Sequence, residues 1–170
     1  KNVLFGTGTR ADYGKLKPLI SRIILNNNFN VKIFVTGMHL LKSYGYTVNE
    51  LYRSNIKNIF KFKNQNEKNY SMTESLSLTI NGLTKYLNKK KTDLVIIHGD
   101  RIEPLACAIV CCLNNIKIAH FEGGELSGTV DEIFRHSISK LCNIHFVTNK
   151  TAKKRLIQMG ELKKNIFITG

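Results

Sequence analysis

Short apolar runs alternate with amphipathic segments along most of the chain. Runs rich in Val, Ile and Phe and bounded by Gly, Asn or Asp are typical of strands. Such runs occupy residues 2–6, 30–37, 93–100, 117–124, 144–149 and 165–170. Segments with apolar positions at helical spacing are predicted as helices, at residues 12–25, 70–88, 103–113, 131–141 and 151–159. One further short strand is assigned within residues 54–63.

The order of these elements predicts a doubly wound α/β fold. Near-continuous apolar runs such as "LVII" indicate strands that are buried on both faces, as in parallel sheets. Alternation with helices implies right-handed crossovers, so we expect one Rossmann-like domain over residues 1–170 with a mostly parallel sheet. Residues 93–98 should form its central strand. Because the last predicted strand ends at Gly170, and a domain seldom ends at that edge of a sheet, we expect a piece of a longer chain.

The composition is strongly basic, with 26 Lys and Arg against 12 Asp and Glu and a net charge of +14. A nucleic acid or another polyanion is one interpretation of this balance. We favour a solvated basic surface without a nucleic-acid partner, because stretches such as "NKKK" lie at element ends and lack interleaved aromatic residues. An anionic small substrate is compatible with the same charge. No apolar run approaches the roughly 20 residues of a membrane span, and none resembles a signal peptide, so we expect a cytoplasmic protein without a membrane partner.

The cysteines do not suggest a metal site. Cys107, Cys111 and Cys112 lie in the apolar helical run "ACAIVCCLN", and Cys142 follows later. A metal site would need a second cluster of ligands at suitable spacing, which the sequence does not show. We therefore expect buried, reduced thiols and no metal.

The stretch "GTGTRADYGK" follows the first predicted strand, at the edge where open α/β sheets bind ligands. Its glycines permit a tight turn, and the free N–H groups of the helix that starts near Ala11 suit a phosphate. Arg10 could pair with that phosphate in a bidentate way. Asp12 and Lys15 are three residues apart and share a helix face. A simple turn into a capped helix is an equally good interpretation.

Two further polar groups follow predicted strands. His39 lies at the end of the second strand, where a structural role is the more common one. His98, Asp100 and Arg101 lie together after the central strand, in "HGDRIEP". Burying such a cluster without partners is costly, so we favour a functional role. Capping of the next helix is the alternative for Asp100.

The stretch "HFEGGELSGTVDEIFRH" gathers carboxylates beside a glycine-rich turn. Glu122 directly follows an apolar strand and should point to the same edge as Asp100. Asp131 begins a helix, and Arg135 and His136 follow one turn later. Converging carboxylates acquire split pKa values, as an acid/base pair requires, whereas Asp131 could also be an ordinary acid of a helix N-terminus.

Taken in order, the motifs "GTRADYGKLKPL", "VTGMH", "HGDR", "EGGELSGTVDEIFRHSISKL" and "ITG" resemble the UDP-N-acetylglucosamine 2-epimerase family. The resemblance covers residues 3–170. It is closest to the hydrolysing branch, which feeds sialic acid synthesis. The non-hydrolysing branch typically shows "GTRPE" and "EAGLR", where this sequence has "GTRAD" and "EGGEL".

The resemblance implies the N-terminal half of a two-domain enzyme of glycosyltransferase-B type, with the C-terminal nucleotide-binding domain outside this sequence. The isolated half should be inactive, and the full-length protein should be a homo-oligomer. The implied reaction eliminates UDP from UDP-GlcNAc to give a 2-acetamidoglucal, which takes up water to give N-acetylmannosamine. No cofactor is implied. The residues carried over as catalytic are Asp100, Glu122 and Asp131. Those carried over as substrate-binding are Arg10, Asp12, Lys15, His39, His98, Arg101, Ser127, Arg135 and His136.

Three other functions stay open at this point. The nearest is the same chemistry on a related bacterial sugar, UDP-diacetamido-trideoxyhexose. A non-catalytic sugar-nucleotide domain is the second, and a nucleic-acid-binding module is the third. The last lacks an aromatic stacking platform and a known binding motif.

Overall fold

A computed structural model describes residues 1–54, 56–67 and 71–170. Within these ranges seven strands form one sheet in which every neighbouring pair is parallel. The strands are β1 Asn2–Thr7, β2 Asn30–Val35, β3 Ile59–Lys61, β4 Leu94–His98, β5 Lys117–Phe121, β6 Ile144–Val147 and β7 Ile166–Ile168. The α-helices are α1 Arg10–Ile24, α2 Val48–Tyr52, α3 Met72–Leu87, α4 Ile102–Leu113, α5 Val130–Leu141 and α6 Lys150–Gln158.

The strand order is β3-β2-β1-β4-β5-β6-β7, which confirms the doubly wound, parallel sheet and places β4 at its centre. The chain winds outward from β1 to β3, then returns to lay β4 against the other side of β1. In register, Val3 of β1 pairs with Val31 on one side and Leu94 on the other. The winding direction therefore reverses between β1 and β4, where doubly wound folds form their ligand crevice.

The sheet buries both of its faces, because alternate residues of each strand point to opposite sides. Val3 and Phe5 of β1 pack on one face with Leu16 of α1. Leu4, between them, packs on the other face with Leu83 of α3. Burying such a side chain contributes about 1.5–3 kcal/mol, which explains why the strands lack polar alternation.

Some details differ from the sequence prediction. Helix α2 and the 3₁₀ turns at Gly37–Leu40 and Lys42–Tyr44 were not predicted, because they are too short to show a period. Tyr70, the first residue of the predicted helix 70–88, lies outside the described residues. The prediction of buried thiols is confirmed for Cys107, Cys111 and Cys142 and is wrong for Cys112. Cys112 is exposed because one further residue turns it away from the sheet.

A ladder of stacked phenylalanines crosses the last three strands. The rings of Phe121 and Phe146 are 4.5 Å apart, and those of Phe146 and Phe167 are 5.7 Å apart. The side chains belong to β5, β6 and β7, and Phe167 is 47% exposed. This phenylalanine ladder therefore carries apolar surface to the edge of the sheet.

In the part of the chain described, no helix has the length and hydropathy needed to cross a membrane.

The packing predicts opposite effects for two helical glycines. A Cβ added to Gly82 of α3 would lie 2.4 Å from the Phe62 ring, whereas one added to Gly14 of α1 would meet no atom within 4 Å. Gly82→Ala should destabilise the fold by about 1–3 kcal/mol through overpacking. Gly14→Ala should stabilise it by about 0.5–1 kcal/mol. Urea unfolding of the two variants checks this, and equal shifts in both would contradict the described packing of Phe62.

Candidate active site

Polar side chains from neighbouring strands meet at the carboxyl edge of the sheet. Arg10 follows β1, Asp100 follows β4 and Glu122 follows β5, as the sequence predicts. Since β1, β4 and β5 are adjacent, these residues border the reversal point of the sheet. The edge therefore collects side chains that are more than one hundred residues apart in sequence.

Glu122 is the centre of one charged cluster. Lys15 Nζ donates a hydrogen bond to Glu122 Oε1 at 2.8 Å, and His98 Nε2 lies 3.1 Å from Glu122 Oε2. Burial opposes ionisation of Glu122, but the bond from Lys15 and the interaction with His98 outweigh it and lower the pKa of the carboxyl group. The same bond raises the pKa of Lys15. At neutral pH the cluster therefore presents a carboxylate, the form that can accept a proton.

Glu122 also has an unusual backbone. Its φ of 61° lies in the left-handed region, which costs a residue with a side chain of the order of 1–3 kcal/mol. Its N–H donates to the Phe146 carbonyl oxygen at 2.9 Å, which continues the pairing of β5 with β6 past the strand's end. The sheet therefore fixes the backbone that aims this carboxylate at Lys15 and His98.

Asp100 and Arg135 form the second charged pair. An Arg135 Nη2 atom donates to Asp100 Oδ2, so the loop after β4 is joined to helix α5. The capping alternative for Asp100 is wrong, because Arg101 occupies the N-cap position of α4 and makes no side-chain cap bond there. Asp100 instead faces the helix that also carries Asp131, one turn before Arg135.

A cavity of about 360 Å³ is lined by Arg101 and Phe134, the chain neighbours of Asp100 and Arg135. Arg101 and Asp131 lie on its wall, between the loop after β2 and the N-terminal turns of α4 and α5. Much of the remaining lining is apolar, namely Met38, Leu41, Met72, Ile102, Val130 and Phe134, and the polar residues are Tyr44, Gln65, Asn66 and Glu67. The cavity lies within the range of small-molecule sites, about 300–1,000 Å³. A carboxylate, a guanidinium and an apolar wall are therefore available to one ligand.

The turn before α5 separates the roles of two adjacent acids. Glu132 Oε2 accepts hydrogen bonds from the N–H groups of Ser127 and Gly128 at 2.7 Å and 2.8 Å. These bonds lower the pKa of Glu132. Asp131 is exposed and lines the cavity. Glu132 is therefore the acid that holds the turn, and Ser127 takes part in it through its backbone.

Asp12 and His39 lie beneath the edge and not on it. The Asp12 carboxylate accepts hydrogen bonds from the N–H groups of Gly8 at 2.9 Å and Thr9 at 3.1 Å, and it completes a capping box at the start of α1. His39 Nε2 lies 3.0 Å from Thr7 Oγ1. Burial raises the pKa of Asp12 and lowers that of His39 to about 4. Both residues shape the turn, and direct contact of either with a substrate stays a prediction.

Arg10 and His136 occupy separate positions. Arg10 Nε lies 2.8 Å from Glu50 Oε1, and the Arg10 side chain is largely exposed. It lies over a shallow groove that it shares with Tyr44 and Thr47. The Nε2 atom of His136 is buried and has no hydrogen-bond partner among the residues described. The structure thus leaves both side chains outside the two charged clusters.

Glu103 is a site residue that the sequence analysis missed. It is 2% exposed, and its Oε2 atom lies 3.2 Å from Arg101 Nε. A Cβ added at Gly8 or Gly37 would lie 2.8 Å or 2.7 Å from its side chain, so two loops close over it. The available signal was an acid at the start of an otherwise apolar helical segment. Glu103 anchors Arg101 on the cavity wall.

Within the described ranges, no three His, Cys, Asp or Glu side chains are placed to hold a metal ion.

Comparison with known proteins gives a consistent result. The family model described as UDP-N-acetylglucosamine 2-epimerase matches residues 22–170. A UDP-N-acetylglucosamine 2-epimerase of Neisseria meningitidis serogroup B is 47% identical over 170 residues, covering 100% of this chain and 45% of the relative. A UDP-N,N'-diacetylbacillosamine 2-epimerase (hydrolyzing) of Legionella pneumophila is 41% identical over 172 residues, covering 100% of this chain and 46% of the relative.

A solved structure extends the likeness to three dimensions. The crystal structure of a UDP-GlcNAc 2-epimerase from Neisseria meningitidis, bound to UDP-GlcNAc, matches with a TM-score of 0.89 at 25% identity. The match covers 100% of this chain and 46% of that one. The chain thus spans about half the length of the curated relatives it matches.

Buried His120 joins the turn after β4 to helix α5. Its Nε2 atom is 2.8 Å from the Gly99 carbonyl oxygen, and its Nδ1 atom is 3.1 Å from Ser139 Oγ. Because a carbonyl only accepts, Nε2 carries the proton and Nδ1 accepts from the hydroxyl. Complete burial lowers the pKa of His120 to about 3. The uncharged imidazole of His120 therefore links the turn after β4 to helix α5 through two hydrogen bonds.

This neutral state predicts a pH effect on stability. An unfolded histidine has a pKa of about 6.5, so the unfolded chain gains a proton below that pH while folded His120 does not. The contribution of neutral His120 to the free energy of unfolding is fully present above pH 6.5. It is lost as the pH falls toward the pKa of His120 in the folded state, at up to about 1.4 kcal/mol per pH unit. His120→Gln should be less stable than the unsubstituted protein at pH 7, with a gap that narrows by pH 5. Urea unfolding at both pH values measures the gap, and a constant gap would refute a neutral His120.

Proposed function

The chain belongs to the UDP-N-acetylglucosamine 2-epimerase family, and from that premise we propose that the full-length protein is a hydrolysing UDP-GlcNAc 2-epimerase. It converts UDP-GlcNAc and water to N-acetylmannosamine and UDP, for sialic acid biosynthesis. The observation that carries the proposal is the ionised carboxylate of Glu122, held by Lys15 and His98 at the carboxyl edge of the sheet where the loop with Asp100 also lies.

The chemistry explains why several carboxylates are needed. No carbonyl acidifies the proton on C2 of the sugar, so that proton leaves as the C1–O bond to UDP breaks and a C1=C2 double bond forms. Water then bonds to C1 of the 2-acetamidoglucal while C2 is protonated from the opposite face. Two faces require two differently placed acid/base groups. Asp100 and Glu122 lie in the loops after β4 and β5, and Asp131 lies in α5, so the three carboxyl groups come from separate segments, which suits that requirement.

The hydrolysing outcome is supported by sequence and by relatives. The segment "EGGEL" carries Glu122, and the 41% identical relative from Legionella pneumophila is named as hydrolyzing. That relative's name also favours a second candidate, the same reaction on a UDP-linked diacetamido sugar. Both candidates use one mechanism at C1 and C2, and they differ at C4 and C6 of the hexose.

The basic side chains of the edge suit the leaving group. UDP departs as an anion, and Arg10, with the N-terminal turn of α1, offers it positive charge. Arg10 is bound to Glu50 on the surface, so the diphosphate would compete with an exposed carboxylate that contributes little stability. Lys15 and Arg101 are further donors next to the candidate acid/base groups.

The remaining half of the protein is part of the proposal. A second Rossmann-like domain would supply most of the nucleotide pocket and close the cleft, as in enzymes of glycosyltransferase-B type. Residues 1–170 alone would then lack much of the UDP site and be inactive. The full-length enzyme would act as a homo-oligomer.

A solvent isotope experiment tests the reaction type. The full-length enzyme, supplied with UDP-GlcNAc in deuterated water, should release UDP and free N-acetylmannosamine with deuterium at C2. The physical reason is that the new C2 proton comes from a group in exchange with solvent. NMR spectroscopy of the products measures the label, and release of UDP-ManNAc would instead establish the non-hydrolysing reaction.

Conservative substitutions test the carboxylates. Glu122→Gln and Asp131→Asn keep side-chain shape but remove the titrating group, so each should lower turnover by roughly two to four orders of magnitude. The effect of the double variant should be less than multiplicative, because groups that act as a unit are non-additive. The neighbouring Glu132→Gln is the matched control. It should lower the melting temperature slightly and leave turnover nearly normal, since Glu132 holds the turn.

Near-normal turnover in both Glu122→Gln and Asp131→Asn would disprove their acid/base role. A loss in Glu132→Gln as large as that in Asp131→Asn would show that the turn, and not the carboxylate of Asp131, is what the reaction needs.

A further inference from the structure

We propose that the cavity beside Asp131 holds the acyl chain of the 2-acylamino group of the sugar, and that it admits chains longer than acetyl. This inference rests on the proposed function. It concerns the contact that selects the substituent at C2, which lies outside the acid/base chemistry itself.

Bond connectivity places the acyl group near the cavity. Carbon C2 carries both the proton that is exchanged and the nitrogen of the acylamino group. A group that acts on this proton must therefore lie beside the amide, and Asp131 is one such group in the proposed mechanism. Because the Asp131 side chain lines the cavity, the cavity is the adjacent space that an acyl chain can enter.

The composition of the wall agrees with an acyl chain. Met38, Leu41, Met72 and Phe134 form an apolar part of the wall, and polar side chains, among them Gln65, Asn66 and Glu67, form the rest. The apolar part would leave a sugar hydroxyl group without a hydrogen-bond partner. An alkyl chain loses no hydrogen bonds there and gains from leaving water. Arg101, tied through its Nε atom to buried Glu103, lies on the same wall.

The size of the cavity predicts that acyl chains longer than acetyl can bind. At about 360 Å³, it falls in the range of whole small-molecule sites and far exceeds the space that a single methyl group fills. An acetyl group would leave most of this volume unoccupied. Each added methylene that becomes buried can improve binding by about fourfold. The structure therefore favours N-propanoyl and N-butanoyl groups as accepted substituents.

The experiment measures kcat/KM of the full-length enzyme for UDP-glucosamine carrying N-acetyl, N-propanoyl or N-butanoyl groups. In the unsubstituted enzyme the N-butanoyl compound should react within tenfold of the N-acetyl compound. Met72→Trp introduces a large ring from the first residue of α3, which is 39% exposed and lines the cavity. This variant should lower the N-butanoyl to N-acetyl ratio at least tenfold.

Two companion variants make the result specific. Met72→Ala enlarges the cavity at the same position and should keep or raise the N-butanoyl to N-acetyl ratio of kcat/KM. Leu113→Trp places the same ring at the far end of α4, on a residue that is 78% exposed, and should leave the ratio unchanged.

The outcomes separate the two proposals. Two results would overturn the acyl-chain assignment alone, provided that the enzyme turns over UDP-GlcNAc. One is a kcat/KM for the N-butanoyl compound that is more than tenfold below that for the N-acetyl compound. The other is a ratio of the two values that Met72→Trp does not alter. Failure of the unsubstituted enzyme to turn over UDP-GlcNAc and both analogues would refute the proposed function, and the assignment with it.

Discussion

The parallel pairing of β1 with β4 joins two halves of the sheet that wind outward in opposite directions. The chain leaves β1 through α1 on one face and leaves β4 through α4 on the other. The loops that follow these strands consequently diverge, and the space between them is where polar side chains collect. Strand β5 then brings Glu122 to the same border, so that its carboxylate reaches Lys15 of α1. Without the β1–β4 pairing, these charges would have no common edge.

Behind that edge lies a layer of buried polar groups that have structural partners. Asp12 accepts the N–H groups of the first turn, and Glu103 anchors Arg101. His39 and His120 are held neutral by burial, each within hydrogen-bonding distance of groups on its neighbours. Partners offset the cost of burying such groups. This layer supports the loops and helices that carry the ion pairs in front of it.

The sequence predicted the sheet well, because runs such as "LVII" mark strands buried on both faces and the intervening helices force parallel pairing. It also placed Asp100 and Glu122 at one edge, since position after a parallel strand decides that. It could not distinguish Asp131 from Glu132, because both are acids in the first turn of one helix and only the path of the preceding turn decides which one binds it. The burial of Glu103 depends on two loops that close over it from distant parts of the chain. The acid at the start of an apolar helical segment marks Glu103 as a candidate, but no local pattern shows that these loops approach it.

The phenylalanine ladder affects how strongly copies of the protein associate in solution. It brings stacked aromatic rings to the β7 edge of the described sheet, where Phe167 is 47% exposed. Such an edge favours association between copies, and the net charge of +14 opposes it by mutual repulsion. At physiological ionic strength, repulsion extends over about 8 Å, and it shortens further as salt is added. The solubility of these 170 residues thus depends on the balance between charge repulsion and attraction between exposed aromatic rings. Added salt weakens the repulsion and so favours association.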